Sequence, residues 1–365
     1  MKFKYTWNIV RRMIAMVLVL GMVPGMAACG AGNNQKQMVE QQDFLLNTVC
    51  NLKLQEWEGT YEEGEALAVQ AFDLARELEN KMSRTVAGSD IDRINQAAGQ
   101  PVEITDSRVV DVLDKSISYG ELSGGKFDIT VGKLVGMWNF SSGEAVVPEE
   151  EKIRQEVLHV GYENLIIEAG ESLLETPGEE HWYVTLDDPQ AHLDLGAIAK
   201  GYIVDQVSGF LAENGVTRGI VDFGGNISCI GAKADGSPWL IGIKRPVSAT
   251  GTEVGENQLV GVVQVEPNCS AVTSGTYERK FEQDGVLYHH ILDPETGYPC
   301  DTDVSGVTII GSNPTDCDAL STICLLLGKD KGMALIESLG DAEAVFITND
   351  GEIHCSSGVK FEAVQ

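Results

Sequence analysis

Between Glu62 and Lys81, apolar side chains recur at three- and four-residue intervals (Leu67, Ala71, Leu74, Leu78, then Met82), the period of a helix with one buried face. Val109, Val112, Leu113, Ile117 and Tyr119 predict a second helix, and Glu149 to Val157 a third. From Gly161 to Tyr183 the chain reads as two strands around the polar loop EAGESLLETPGEEH. Tyr183 to Leu186 and Ala191 to Leu195 predict strands on either side of the turn DDPQ, the second delivering Asp194 at its end. Ile198, Tyr202, Val207, Phe210 and Leu211 then mark the buried stripe of a helix with Lys200 in its first turn and Gly215 as its stop. From Gly219 onward the β-rich runs GIVDFGGNISCIGA, WLIGIKRP and LVGVVQVE are separated by Gly and Pro turns. The expected class is α+β, with antiparallel sheets and packed helices in a single body.

The first thirty residues break this pattern. Lys2, Lys4, Arg11 and Arg12 precede the apolar run MIAMVLVLGMV, which is shorter than the roughly 20 residues a membrane span needs. It reads as a secretory signal, and Ala27 and Ala28 before Cys29 resemble a bacterial lipobox with Met26 in place of the usual leucine. The expected organisation is a signal over residues 1–28, a polar tether over 29–42 and a folded domain over 43–365, with folding starting near Phe44. A lipid on Cys29 would hold the mature chain on the extracytoplasmic face of a cell membrane.

Charge narrows the partners. The formal net charge is -29, and loss of the signal removes basic residues only, so nucleic acid is excluded as a partner and the acyl chain would be the main membrane tether. Seven cysteines remain beyond Cys29, all singles, with no CxxC pair. That spacing argues against a disulfide framework or a zinc site and for small buried hydrophobes.

Several stretches place polar residues in apolar settings. Lys200 in a first helical turn adds to a site for phosphate, because helix amides and dipole already favour anions there. Gly224 and Gly225 interrupt an apolar strand, either to let backbone approach something flat or to make a hairpin turn. His290 at the end of a strand offers a hydrogen-bond donor to a phosphate or a proton acceptor. Asp318 and Thr322, four apart on one helix face, are hard oxygen ligands suited to magnesium on a diphosphate, although Asp316 or Asp318 would also serve as a helix cap.

Taken in order, GGKFDITVGKLVGMWNF, LDLGAIAKGYIVDQ, VDFGGNIS, VTSGTYER, HHILDPETGYP and DCDALSTICLLLG resemble the ApbE family of FAD:protein FMN transferases, over nearly the whole body from Phe44. The resemblance implies a T-fold-like body that binds FAD as substrate, uses Mg2+ on its pyrophosphate, and moves FMN onto a threonine of an acceptor flavoprotein in a membrane or extracellular electron-transfer system, releasing AMP. It implies FAD contacts from Lys126, Phe127, Asp128, Asp194, Lys200, Gly224, Gly225, Asn226, Ser274, Gly275, His290 and Ile291. It also implies metal ligands from the Ala197 carbonyl, Asp318 and Thr322, with His290 or a carboxylate such as Asp194 taking the hydroxyl proton. Two departures stand out: Thr85 occupies the place of a flavin-stacking tyrosine, and LLNTVCNL replaces the family's Met-Gly-Thr form while keeping Thr48. The competing functions are an FAD pyrophosphatase with water as acceptor and a flavin carrier without catalysis.

Overall fold

The computed structural model describes residues 38–140, 145–170, 181–246 and 259–364. The signal, Cys29, most of the tether and the loop at 171–180 lie outside the described residues. No described helix is long and apolar enough to cross a membrane.

Sixteen strands are described: β1 (Val39–Leu45), β2 (Thr48–Trp57), β3 (Val102–Ile104), β4 (Leu165–Gly170), β5 (His181–Leu186), β6 (Val216–Phe223), β7 (Asn226–Ile230), β8 (Trp239–Lys244), β9 (Leu259–Val265), β10 (Ser270–Gly275), β11 (Lys280–Gln283), β12 (Val286–His289), β13 (Val304–Gly311), β14 (Ala342–Thr348), β15 (Ile353–Cys355) and β16 (Phe361–Ala363). The helices are α1 (Tyr61–Met82), α2 (Asp90–Gln96), α3 (Ser107–Ser123), α4 (Gly132–Trp138), α5 (Glu150–Val157), α6 (Ala199–Glu213) and α7 (Pro314–Leu339). An eight-stranded antiparallel sheet in the order β1-β2-β6-β7-β10-β13-β14-β15 is the platform.

Both faces of that platform are covered. Val307 and Ile309 of β13, with Ala344 and Phe346 of β14, join the core under α1, α6 and α7. The alternate residues Val345 and Ile347 of β14, with Cys229 and Ala271, pack against Trp239, Ile241, Val263 and Val265 of the small sheet β16-β9-β8. Alternation sends successive side chains to opposite faces, so these central strands are apolar throughout. A third sheet, β3-β5-β4, packs beside α2 and α3.

The expected α+β class, antiparallel sheets and helices are those observed, and three details differ. β1 begins at Val39, so residues 39–42 belong to the sheet and not to the tether. Its polar side chains suit an edge strand, whose backbone is held by β2 alone. Ala191–Leu195 forms no strand, only a single bridge between Val131 and His192. The buried Asn95 amide accepts from Leu193 N (2.6 Å) and donates to Leu193 O (3.0 Å), doing what a neighbouring strand would do. In α1 the buried stripe runs through Gly64, Ala68, Ala71, Ala75, Leu78 and Met82, leaving Leu67 and Leu74 half-buried at its margin. Five of the seven described cysteines are buried, Cys269 is half-buried and Cys355 is exposed; all are unbridged.

α6 and α7 meet at Gly201. A Cβ there would strike the carbonyl oxygen of Pro314 and lie 2.5 Å from Asp318 Cβ, so glycine permits the approach of the two helices. Gly201→Ala is expected to cost about 1–3 kcal/mol by overpacking, read as a lower urea midpoint with an unchanged slope.

Candidate functional site

One cleft of about 510 Å³ is bounded by the β1–β2 turn, the C-terminal end of α1, α4, the 194–197 segment, α6, β10, α7 and the chain around His290. Its volume falls in the range of small-molecule and cofactor sites. Of the residues singled out in the sequence, Lys126, Phe127, Asp128, Asp194, Ala197, Lys200, Ser274, His290, Ile291, Asp318 and Thr322 line it. Gly224, Gly225, Asn226 and Gly275 are not among its lining residues.

The floor of the cleft is a polar knot made by the α6–α7 contact. Asp318 is buried at 2% exposure, because Asn313 and not an aspartate caps α7 and leaves Asp318 facing α6. Its Oδ2 accepts the Gly201 amide at 2.8 Å, and Lys200 Nζ stands 3.6 Å from Oδ1. Asn226 lies behind the cleft wall, its amide oriented to donate to Asp318 Oδ1 (3.1 Å) and accept from Lys200 Nζ (2.7 Å). Burial raises the Asp318 carboxyl above its ordinary value, opposed by Lys200, the Gly201 amide and Asn226. Thr322 follows one helical turn later, its hydroxyl 3.4 Å from Ser274 Oγ, which also bonds Ser321 Oγ at 2.7 Å.

Gly201 is the third residue of α6, so its amide is one of the first-turn donors with no carbonyl partner inside the helix, and Asp318 satisfies it. Among the described residues no hydrogen bond ends on the Ala197 carbonyl, and Ala197 lines the cleft together with Asp318 and Thr322. A carbonyl, a carboxylate and a hydroxyl are all oxygen donors, the chemistry magnesium takes while keeping waters or substrate phosphates as its other ligands. No group of three or more His, Cys, Asp or Glu side chains converges among the described residues.

Other expected contacts have local partners. Asp194 Oδ2 pairs with Arg84 Nε, and its Oδ1 accepts the Gly196 amide at 2.7 Å, so this carboxylate shapes the turn that carries Ala197. Lys126 bridges Asp293 (3.0 Å) and Glu295 (2.9 Å), tying the GGKFD segment to the LDPETG turn. Asp128 accepts Thr130 N and Oγ1 (2.7 and 2.6 Å) and Tyr162 N (2.8 Å), and the Phe127 ring is 1% exposed in the core. Gly224 and Gly225, with φ of 62° and 90°, form the tight β6–β7 turn. Thr48 is what approaches Gly224, its Cγ2 2.6 Å from where a Cβ would stand, so these glycines answer to the turn and to Thr48. Gly275 is similarly crowded by the Tyr277 ring.

Sequence reasoning passed over Arg84 and Glu278, although Glu278 sits inside the VTSGTYER motif. Five carboxylates line the cleft: Glu79, Asp128, Asp194, Glu278 and Asp318. Four accept hydrogen bonds, Glu79 from the Leu46 amide at 2.9 Å. Glu278 accepts none from the described residues and keeps a solvent-open side chain. The cleft walls nevertheless displace enough water to raise its carboxyl, against the lowering pull of Lys200 and Arg279. His290 is the converse case. Burial, then Arg279, His289 and Lys200, push its imidazole down to about 3, and its Nδ1 has no partner among the described residues.

The LLNT departure has a structural reason. Leu46 and Asn47 are the two central residues of the β1–β2 turn, with φ of 54° and 56°. Asparagine, like glycine, tolerates that left-handed backbone, so Asn47 holds the turn at the position where the resemblance expects glycine.

Comparisons with known proteins bear on the family and the fold. The ApbE family model matches residues 46–346. A Treponema pallidum protein named FAD:protein FMN transferase is 32% identical over 343 residues, covering 92% of this chain and 91% of the relative. A Klebsiella pneumoniae protein of the same name is 33% identical, covering 81% and 87%. Among solved structures, the ApbE protein of Thermotoga maritima superposes with a TM-score of 0.76 at 30% identity, covering 88% of this chain and 97% of that one. The flavin transferase ApbE of Vibrio cholerae gives 0.73 at 29% identity, with the same coverage.

The depressed His290 has a consequence for stability. Its folded value lies below the ordinary 6.5, so its contribution is complete above pH 6.5 and is lost as pH falls from there toward 3. His290→Gln should therefore lose less stability than the unaltered chain between pH 6.5 and 5, by up to about 1.4 kcal/mol per pH unit, read from paired urea midpoints.

Proposed function

The chain belongs to the ApbE family, and from that premise we propose that it transfers FMN from FAD to a threonine hydroxyl of an extracytoplasmic acceptor protein, releasing AMP. The observation that carries this reading is the knot of Lys200, Asp318 and Asn226 beside Thr322 and the unclaimed Ala197 carbonyl. It puts a cation and a set of oxygen donors on the floor of a cleft large enough for a nucleotide.

Ala197, Asp318 and Thr322 are the residues that would hold Mg2+ in this scheme. Magnesium there would supply charge neutralisation on the diphosphate. The chain's own groups do the rest. Lys200 places a positive charge against the same phosphates, and Asn226 and Asp318 fix its ammonium. Arg84 and the Gly196 amide hold Asp194, which keeps the turn bearing Ala197 in place. Lys126, locked to Asp293 and Glu295, closes the opposite wall.

In the transfer itself the threonine Oγ–phosphorus bond forms as the phosphorus–oxygen bond to AMP breaks. The hydroxyl proton passes to Glu278, the cleft carboxylate left without a hydrogen bond among the described residues. Its raised carboxyl makes it a stronger acceptor than an ordinary glutamate. His290, neutral through the physiological range, serves as a hydrogen-bonding wall, and Asp194 as a positioning group. Cys29 is the proposed lipid anchor, supported by the basic, apolar and small-residue order of the N-terminus.

A second reading, FAD pyrophosphatase, is favoured by one observation: Thr85, a small residue, lines the cleft where relatives place a large ring, leaving room for water. The test measures AMP released from FAD and magnesium, with and without an acceptor domain carrying the target threonine. AMP only with acceptor, and flavin covalent on it, is the expected result. AMP without acceptor supports the hydrolase, and no AMP with FAD bound supports a carrier.

Asp318→Ala is expected to abolish magnesium-dependent turnover, and retained activity would remove the metal assignment. Glu278→Gln should lower the rate of transfer by about 10²–10⁴-fold with FAD affinity kept, flattening the acid limb of the pH–rate profile. His290→Gln should leave that limb in place; the reverse pattern assigns the proton to His290.

A further inference from the structure

FAD carries two flat ring systems, and this chain has Thr85 where the resemblance expects a stacking tyrosine. The cleft lining contains two phenylalanines and no tyrosine or tryptophan among the described residues. Phe127 is used up: its ring is buried and meets Tyr119 edge-on at 6.0 Å and 61°. Phe140 is different. It is half-buried, lines the cleft, and lies nearly parallel to Trp138, with centroids 5.7 Å apart and planes at 10°.

The support behind Phe140 is rigid. Trp138 is fully buried and donates from Nε1 to the Gly297 carbonyl at 2.8 Å, while Phe281 braces Phe140 at 5.5 Å. Asn139, in the left-handed region at φ 52°, ends α4 and turns the chain so that Phe140 follows Val131, Val135 and Asn139 along the cleft wall. That wall adjoins the segment carrying Thr85, since a Cβ on Gly136 of α4 would stand 3.7 Å from Arg84 Nη1. A ring backed on one face by a fixed indole presents its remaining surface without the entropy cost of ordering a free side chain.

We infer that Phe140 is the stacking surface for the isoalloxazine of bound FAD, supplied from the end of α4 in place of the absent tyrosine. The inference rests on the transferase reading's requirement that FAD occupy this cleft. It also makes Phe140 a binding residue whose contribution is to ring affinity and orientation and not to the phosphate chemistry.

The test uses the full chain, its Phe140→Leu, Phe140→Ala and Phe140→Trp variants, and separate titrations with FAD, FMN and ADP. Phe140→Leu keeps apolar bulk against Trp138, so weakened binding in that variant reports lost stacking and not a lost fold. Roughly 3–10-fold weaker binding of FAD and FMN, with ADP unchanged, is expected for the Leu and Ala variants. Phe140→Trp should restore affinity and quench the fluorescence of bound FMN more strongly than the unaltered chain. FAD and FMN binding unchanged in both the Leu and Ala variants overturns the inference. A loss confined to ADP overturns it as well, since the ring would then face adenine. FAD failing to bind the unaltered chain removes the transferase reading, and this inference with it, and is distinguishable from both.

Discussion

The site depends on one crowded crossing of two helices. At Gly201 the backbone of α6 comes close enough to α7 that its first-turn amide, which has no partner within its own helix, donates to Asp318. That hydrogen bond partly compensates a buried carboxylate, and the same crossing sets Lys200 beside Asp318. A buried charge without such partners would be strongly penalised, so the packing and the polar chemistry stand or fall together.

The rest of the fold holds that crossing still. α6 and α7 rest on β6, β7, β10 and β13, strands whose opposite faces are closed by the small β16-β9-β8 sheet. Covering both faces fixes register firmly, because a one-residue slip in β14 would exchange Phe346 with Val345 between two differently shaped cores. The other cleft walls are tied across long stretches of sequence by Arg84 with Asp194 and Lys126 with Asp293.

Much of this is legible in the sequence. The three- and four-residue spacing found α1, α3, α5 and α6. In α1, α3 and α5 one stripe is packed and the other face is wet, whereas Gly201 to Val204 of α6 are all buried between the sheet, α1 and α7. Lys200, Asp318 and Thr322 were legible as phosphate and metal chemistry, since both helix position and residue type point the same way. What spacing could not show was how a contact over distance reassigns a local role. Asn95 replaces a strand beside Leu193, Asn313 takes the cap that frees Asp318, and Arg84 claims Asp194. Glu278 was illegible for the opposite reason: its importance lies in the hydrogen bonds it lacks, and no motif records an absence. Gly224 and Gly225 read equally as ligand cradle or turn, and only the position of Thr48 decides between them.

The pairs that build the cleft also say when it can exist. Lys200 meets Asp318, Arg84 meets Asp194 and Lys126 meets Asp293, so each wall joins residues on the order of a hundred positions apart, the kind of closure that forms late because loop entropy must be overcome first. A chain emerging from its amino end therefore has no partial site to offer while it is incomplete. Nucleotide capture begins only once α7 has docked, which makes possession of the cleft a built-in report that the whole body has folded.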